Sequence, residues 1–162
     1  MGYPIYDSDP TSVNDPTMRL GAGDLFRFNH ATYGRWILKY VQAKDAVTYA
    51  AGQVLTKANV KWTAVTNDIA GGSSIGKTFG GIALAAYTTG NWVFVLVDGY
   101  YPTVLTNGDD DIADGVQLIS GTADGVCDSG TATHSFGHAI GADVDANNTV
   151  AAQICGNICG NS

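Results

Sequence analysis

Short apolar stretches, separated by turns rich in Gly, Asn, Asp and Thr, run along most of the chain. Stretches of this length with β-branched and aromatic residues predict strands. Turns such as Thr-Thr-Gly-Asn at residues 88–91 recur at a spacing of roughly 8–12 residues, which is typical of a small β-barrel or a β-sandwich. Strands are predicted over residues 25–29, 35–41, 53–56, 60–65, 81–87, 91–98, 116–119, 139–143 and 149–154.

The N-terminal region has a different pattern. Pro4, Pro10 and Pro16, three of the four prolines of the chain, fall in its first 23 residues. Proline at this density disfavours both a helix and a central strand. We therefore predict an extended N-terminal arm over residues 1–34 and a β domain over residues 35–162. We expect residues 1–23 to be ordered only against a neighbouring chain.

The β region contains an internal repeat. A shift of 57 residues without a gap places residues 79–99 over residues 136–156, and residues 51–55 resemble residues 114–118. Neither half would bury its apolar face alone, so the halves, about 50–99 and 112–156, should pack as one core. The identical pairs are Phe79/Phe136, Gly80/Gly137, Ala85/Ala142, Asn91/Asn148, Val93/Val150 and Gly99/Gly156.

Composition supports an all-β fold and excludes some functions. The 162 residues fit one domain, all 15 acidic residues are Asp, and 21 residues are Gly, which favours strands and turns over helices. All eight basic residues lie in residues 1–77, for a net charge of +2, whereas residues 78–162 carry nine Asp and no base. This excludes a basic nucleic-acid footprint. The N-terminal part would contact an acidic partner, or its charges form a solvated face.

Targeting signals are also missing from the pattern. The chain does not begin with a basic and apolar leader, and its longest apolar runs are six residues, so we expect neither secretion nor a membrane span. Three cysteines fit reduced thiols and synthesis in a host cytoplasm.

The sharpest motif for chemistry is Gly-Gly-Ser-Ser-Ile-Gly-Lys-Thr at residues 71–78, from Gly71 to Thr78, which matches a phosphate-binding loop. With Lys77, Thr78 and the downstream Asp98 it would hold a nucleotide and Mg²⁺. That chemistry needs a helix directly after the loop, yet Gly80 and a turn at residues 88–91 leave little room for one. We therefore favour a Gly/Ser loop before a strand.

Three other residue groups offer candidate chemistry. His134, His138, Cys155 and Cys159 supply a zinc ligand set, but small buried thiols and loop histidines are commoner. The Asp clusters at residues 109–114 and 143–147 lack the glycine and the twelfth-position acid of a calcium loop, and they read as solvated turns. Cys127 near His134 has no orienting context for nucleophilic catalysis. We expect no catalytic residues, no metal and no cofactor.

Several segments together resemble the head decoration, or capsid cement, proteins of tailed bacteriophages. These are Ala-Gly-Gln-Val-Leu at residues 51–55, Gly-Gly-Ile-Ala-Leu-Ala-Ala at 80–86, Val-Phe-Val-Leu-Val-Asp-Gly at 93–99, Asp-Gly at 114–115 and Phe-Gly-His-Ala-Ile-Gly at 136–141. The resemblance covers about three quarters of the chain. It implies a non-enzymatic β protein that sits on the outer capsid surface as a homotrimer and braces neighbouring major capsid protein subunits.

This hypothesis assigns capsid contacts to the arm and to the aromatic stretch that follows it. The candidates are Tyr3, Ile5, Tyr6, Arg19, Phe26, Arg27 and Trp36, with the alternative that the aromatic residues belong to the core. Two other hypotheses are a small nucleotide-binding enzyme and a β-sandwich fibre or adhesion module. The latter would bind glycans on exposed Trp62 or Trp92.

Overall fold

The computed structural model describes residues 2–44, 48–68, 78–108, 112–121, 123–130, 135–143 and 148–156. Within these residues the secondary structure is one 3₁₀ turn and eleven strands, joined in a single mixed sheet. None of the described residues belongs to a helix long and apolar enough to cross a membrane. The elements are a 3₁₀ turn, Pro10–Ser12, and strands β1 Asn14–Asp15, β2 Leu25–His30, β3 Gly34–Ala43, β4 Val54–Lys57, β5 Ala64–Thr66, β6 Phe79–Ala83, β7 Trp92–Leu105, β8 Gln117–Ser120, β9 Cys127–Ser129, β10 Gly137–Ala139 and β11 Thr149–Cys155.

The first half of the sheet closes on itself. β3 pairs in parallel with β5, and antiparallel pairing then runs from β5 to β4, β6 and β7. β7 pairs in turn with β3, opposite residues Ile37 to Gln42, which completes the circuit. We call these five strands the first strand ring. Its core draws side chains from all five strands: Ile37, Val41, Ala43, Tyr49, Leu55, Val65, Ala83, Tyr87, Val93, Val95 and Val97.

A second strand ring follows and shares β7 with the first. β7 pairs antiparallel with β11, and the pairing continues to β10, β8 and β9. A parallel bridge between Thr106, just after β7, and Cys127 of β9 closes this circuit. The two rings therefore have the same order of pairing. Strands β3, β5, β4, β6 and β7 of the first ring correspond to β7, β9, β8, β10 and β11 of the second.

The backbone hydrogen bonds just before β4 in the first ring are repeated just before β8 in the second. The Gly52 amide donates to the Ala83 carbonyl at 2.8 Å, and the Ala83 amide donates to the Gln53 carbonyl at 2.9 Å. In the second ring, Gly115 donates to Ala139 at 3.0 Å, and Ala139 donates to Val116 at 2.9 Å. Ala83 thus corresponds to Ala139.

The gapless alignment places Ala83 one residue away from this structural partner. β6 explains the difference, because the β4–β6 register passes from Gly81 to Phe79 and leaves Gly80 as an extra residue in a bulge. The sequence repeat is thus in register at Phe79 and Phe136 but one residue out over the rest of β6.

β3 carries apolar side chains at most successive positions, with Lys39 as an exception. Trp36, Leu38 and Tyr40 pack in one hydrophobic cluster, whereas Ile37 and Val41 pack in the first ring's core on the opposite face. A strand buried on both faces carries apolar side chains at successive positions instead of alternating ones. β7 is buried in the same way around Phe94 and Val95.

The all-β prediction is confirmed, but its finer form needs correction. The strands form one continuous sheet that closes two linked rings, which is neither a simple barrel nor a two-sheet sandwich. The boundary predicted at residue 34 also falls inside a hairpin, because β2 pairs with β3 over its whole length. β5, β6 and β10 are displaced from their predicted windows, and the short strands β1 and β9 were not predicted.

Candidate docking surface

The N-terminal segment is extended and lies against its own sheet. The Arg27 amide donates to the Pro4 carbonyl at 2.7 Å, and the Tyr6 amide donates to the Arg27 carbonyl at 2.8 Å, so Ile5 forms a parallel bridge with Arg27 of β2. Further along, β1 pairs with the start of β7. The segment therefore has ordering contacts within its own chain, whereas the sequence predicted that a neighbouring chain would be needed.

Tyr6 is the main apolar anchor of this segment. Its ring centroid lies 4.5 Å from that of Phe94 and 6.1 Å from that of Phe26, in the cluster that also receives Val13 and Leu20. Burial raises the pKa of the Tyr6 hydroxyl, and nearby Tyr40 and Asp9 raise it further. Tyr6 therefore fixes the segment to the sheet.

Other residues of the same segment point outward. Tyr3 is 39% exposed and Ile5 is 52% exposed, and Ile5 stands beside the half-buried Arg27. The Arg27 Nε is shielded from solvent and has no hydrogen-bond partner. We call Tyr3, Ile5 and Arg27 the N-terminal edge. Within the described residues no strand pairs with the outer side of this edge, so it offers apolar side chains and free backbone groups together.

The remaining predicted contact residues have structural roles. Trp36 is 3% exposed and its indole N–H donates to the Tyr100 carbonyl at 2.9 Å. Phe26 packs edge-on against Phe94, with centroids 5.5 Å apart. Trp36 belongs to the buried core, and the partly buried Phe26 packs against that core. Both aromatic residues therefore have a packing role within the chain, and their assignment as capsid contacts stays a prediction.

Arg19 lies apart from the N-terminal edge. Its guanidinium forms an ion pair with Asp15, and its amide donates to the Tyr40 hydroxyl at 3.2 Å. The Thr17 amide and Arg19 both lower the pKa of Asp15. These groups line a cavity of about 690 Å³ between the N-terminal segment and β3, with Tyr6 and Tyr40 on its walls. Arg19 thus holds the turn around Asp15 at the edge of this cleft.

The phosphate-loop motif is described only from Thr78 onward, and residues 71–77, Lys77 included, lie outside the described residues. Thr78 leads directly into strand β6. Asp98 sits in the middle of β7, with Ile37 on one side and Cys155 on the other, and not at a strand end facing a loop. The described geometry therefore lacks the helix N-terminus on which a nucleotide-binding loop depends.

The other candidate chemistry is also scattered. His138 is exposed on β10 and Cys155 is on β11, while His134 and Cys159 lie outside the described residues, as do Asp109 to Asp111 and Asp145. Within the described part of the chain no three His, Cys, Asp or Glu residues are placed to hold a metal ion. Cys127 is fully buried in the core.

Neither tryptophan proposed for glycan stacking is a free platform. Trp92 is half-buried and stacks on Tyr40, with ring centroids 5.6 Å apart. Trp62 is held by its indole N–H, which donates to the Gly80 carbonyl at 3.0 Å.

Sequence interpretation missed a group around Trp62. The ammonium nitrogens of Lys39 and Lys57 lie 4.1 Å and 4.2 Å from the centroid of its indole. A signal was available, because Lys39 interrupts the apolar run of β3 at a position that alternation turns toward the core.

In comparisons with known proteins, no family model, no curated protein and no solved structure matches this chain.

Proposed function

We propose that this chain is a structural, non-enzymatic virion protein that binds the outer surface of a phage capsid. It would brace neighbouring major capsid protein subunits, as the resemblance to decoration proteins implies. The observation that carries the proposal is the N-terminal edge, where Tyr3 and Ile5 remain exposed on an extended segment that is itself anchored by Tyr6. Anchoring lowers the entropic cost of docking, because the apolar side chains are already placed.

The electrostatics of the edge fit the same role. Arg27 has a buried Nε without an acceptor, and an acceptor from a docked coat subunit would satisfy it. All eight basic residues lie in residues 1–77, so in this proposal the basic part of the chain would face the capsid and the Asp-rich part would face solvent. The open backbone groups beside Ile5 would accept an extended coat segment by strand addition.

The finer parts of the proposal are oligomeric state and location. We propose a homotrimer on the outer shell, built after synthesis in the host cytoplasm, with no nucleic-acid or membrane partner. Light scattering should give a mass three times that of one chain. A monomer at micromolar concentration would contradict the trimer but not the docking edge.

Co-sedimentation with empty heads, assembled from the coat protein of the same genome, tests the docking edge. Tyr3→Ser combined with Ile5→Ser should reduce occupancy at least about tenfold, since two buried apolar contacts would be lost. Met18→Ser is the matched control, because Met18 is 51% exposed but lies outside the edge. Full occupancy with the double variant would overturn the assignment of the edge.

A further inference from the structure

Lys39 and Lys57 both contact one indole, that of Trp62, which packs against the core of the first strand ring. They come from β3 and β4, and their Nζ atoms lie 4.1 Å and 4.2 Å from the Trp62 ring centroid. The two nitrogens are therefore within about 8 Å of each other, a separation at which like charges repel. Cation–π contact with a shared indole offsets part of this repulsion.

Trp62 is fixed in place by its own hairpin. The Asn59 side chain accepts from the Thr63 amide at 3.0 Å and donates to the Thr63 hydroxyl at 2.9 Å, which closes the turn. Within that turn Trp62 has a φ of 52°, a left-handed conformation that is unusual for a bulky residue. Its indole N–H also donates to the Gly80 carbonyl. The indole is thus held rigidly against the two ammonium groups.

The hydrogen-bonding capacity of both lysines is unused. Each ammonium carries three N–H donors, yet within the described residues neither forms a hydrogen bond or an ion pair. Both nitrogens nevertheless reach solvent, since neither is among the shielded, unpaired polar atoms. This holds although Lys39 is only 8% exposed.

The electrostatic balance at this point is positive. Burial lowers the pKa of Lys39, the charge of Lys57 lowers it further, and Asp24 partly opposes both effects. Burial also lowers the pKa of Lys57. A bound anion would relieve the repulsion and supply the missing acceptors.

We propose that Lys39 and Lys57 together bind one carboxylate group beside the Trp62 indole. The two oxygens of a carboxylate can accept from both ammonium groups at once. The carboxylate could come from a small polycarboxylate or from an aspartate of another polypeptide, since both present the same group. This site is independent of the docking edge and goes beyond the proposed function.

Titration with citrate, followed by the indole N–H signals of the three tryptophans in NMR spectra, tests the site. Sodium chloride matched in ionic strength serves as the blank. The Trp62 signal should shift saturably, and the signal of Trp36, which is buried elsewhere, should stay in place. A peptide of residues 106–116 of this chain, which contains four aspartates, is the second probe. Tighter binding of the peptide than of citrate would assign the carboxylate to a polypeptide, and the reverse would assign it to a small molecule.

Lys57→Met keeps the apolar stem and removes the charge, so it should weaken binding of the better probe at least about tenfold. Lys61→Met is the matched control, because Lys61 is exposed on the same hairpin and the ammonium groups over the Trp62 ring are those of Lys39 and Lys57. Lys39→Met should act as Lys57→Met does, and an unchanged Trp36 signal would show that the variant is folded. Absence of a Trp62 shift with both probes, or equal weakening by Lys57→Met and Lys61→Met, would overturn the proposal.

Discussion

Phe79 and Phe136 stack on each other with ring centroids 4.5 Å apart and planes only 10° from parallel. Phe79 begins β6 of the first strand ring, and Phe136 stands just before β10, the equivalent strand of the second ring. Both side chains are buried, at 4% and 1% exposure. The repeat therefore supplies one aromatic residue from each ring to a shared contact between them.

Alanine at either position should destabilise the protein by about 3–5 kcal/mol, the usual cost of a buried Phe. The two phenyl rings contact each other. The double variant Phe79→Ala with Phe136→Ala should therefore lose less free energy of unfolding than the sum of the two single variants, by about 0.5–1.5 kcal/mol. Urea unfolding of the four proteins measures this coupling. Val60→Ala, at an 87% exposed position, is the control that should change little. Strict additivity would show that the stacking itself contributes nothing.

The equivalent glycines Gly52 and Gly115 should respond differently to substitution. Both have a left-handed φ, 83° and 79°. A Cβ on Gly52 would lie 2.2 Å from the Thr103 carbonyl oxygen, whereas a Cβ on Gly115 would meet nothing within 4 Å. Gly115→Ala should cost about 1–2 kcal/mol from backbone strain alone. Gly52→Ala should lower the free energy of unfolding by clearly more than that, or prevent folding. Equal melting temperatures of the two variants would contradict the close approach of Gly52 to Thr103.

Asp98→Asn should stabilise the protein at neutral pH. Burial raises the pKa of Asp98, and Arg35 opposes that shift only in part. Because the folded-state pKa is raised, stability is lost as the pH rises from the ordinary Asp value through the raised value, and the full loss is present at neutral pH. The gain should be up to about 1 kcal/mol, because the side chain is partly solvated. It should fade as the pH falls toward the ordinary Asp value, and thermal melts at pH 7 and pH 3.5 would check this. A loss of stability at pH 7 would contradict the prediction.

Tyr87→Phe should destabilise the first strand ring. The buried Tyr87 hydroxyl accepts from the Leu84 amide at 2.7 Å and donates to the Phe94 carbonyl at 2.5 Å. Phenylalanine would leave both backbone groups unpaired, at a cost of about 1–3 kcal/mol. Urea unfolding at pH 7 measures the cost, and Tyr3→Phe, at an exposed position, should be neutral.

Tyr87 should also make the stability of the fold depend on pH in the alkaline range. Burial strongly raises the pKa of Tyr87, so the folded state holds this proton more tightly than the unfolded chain does. Stability should then fall as the pH rises above the ordinary tyrosine value of about 10. The decline should be less steep in Tyr87→Phe, and identical slopes between pH 9 and pH 11 would count against this role.

The amino-acid sequence by itself determined the strand content and much of its placement. β2, β3, β4, β8 and β11 lie close to their predicted windows, because their apolar residues and flanking turns act locally. The repeat was also visible in the chain, since equivalent strands retain glycine and phenylalanine where backbone or core geometry requires them. The local sequence pattern, however, predicted that β7 ends at residue 98, which is too early. The structure extends β7 through Pro102 to Leu105 because β11 pairs with it, and the register there contains a bulge. Proline has no N–H for the ladder and is tolerated at such a bulge.

Only the tertiary structure decided how the strands close and which side chains remain available. Closure of both rings depends on parallel contacts between residues far apart in sequence, such as Gln42 with Ala64, which no local pattern encodes. The N-terminal segment shows the same limit. Composition marked Tyr3, Ile5 and Tyr6 alike as apolar anchors, but pairing with β2 turns Ile5 outward and packing against Phe94 turns Tyr6 inward. Exposure depends on long-range register, which is set by packing and hydrogen bonding across the whole sheet and not by the composition of one segment.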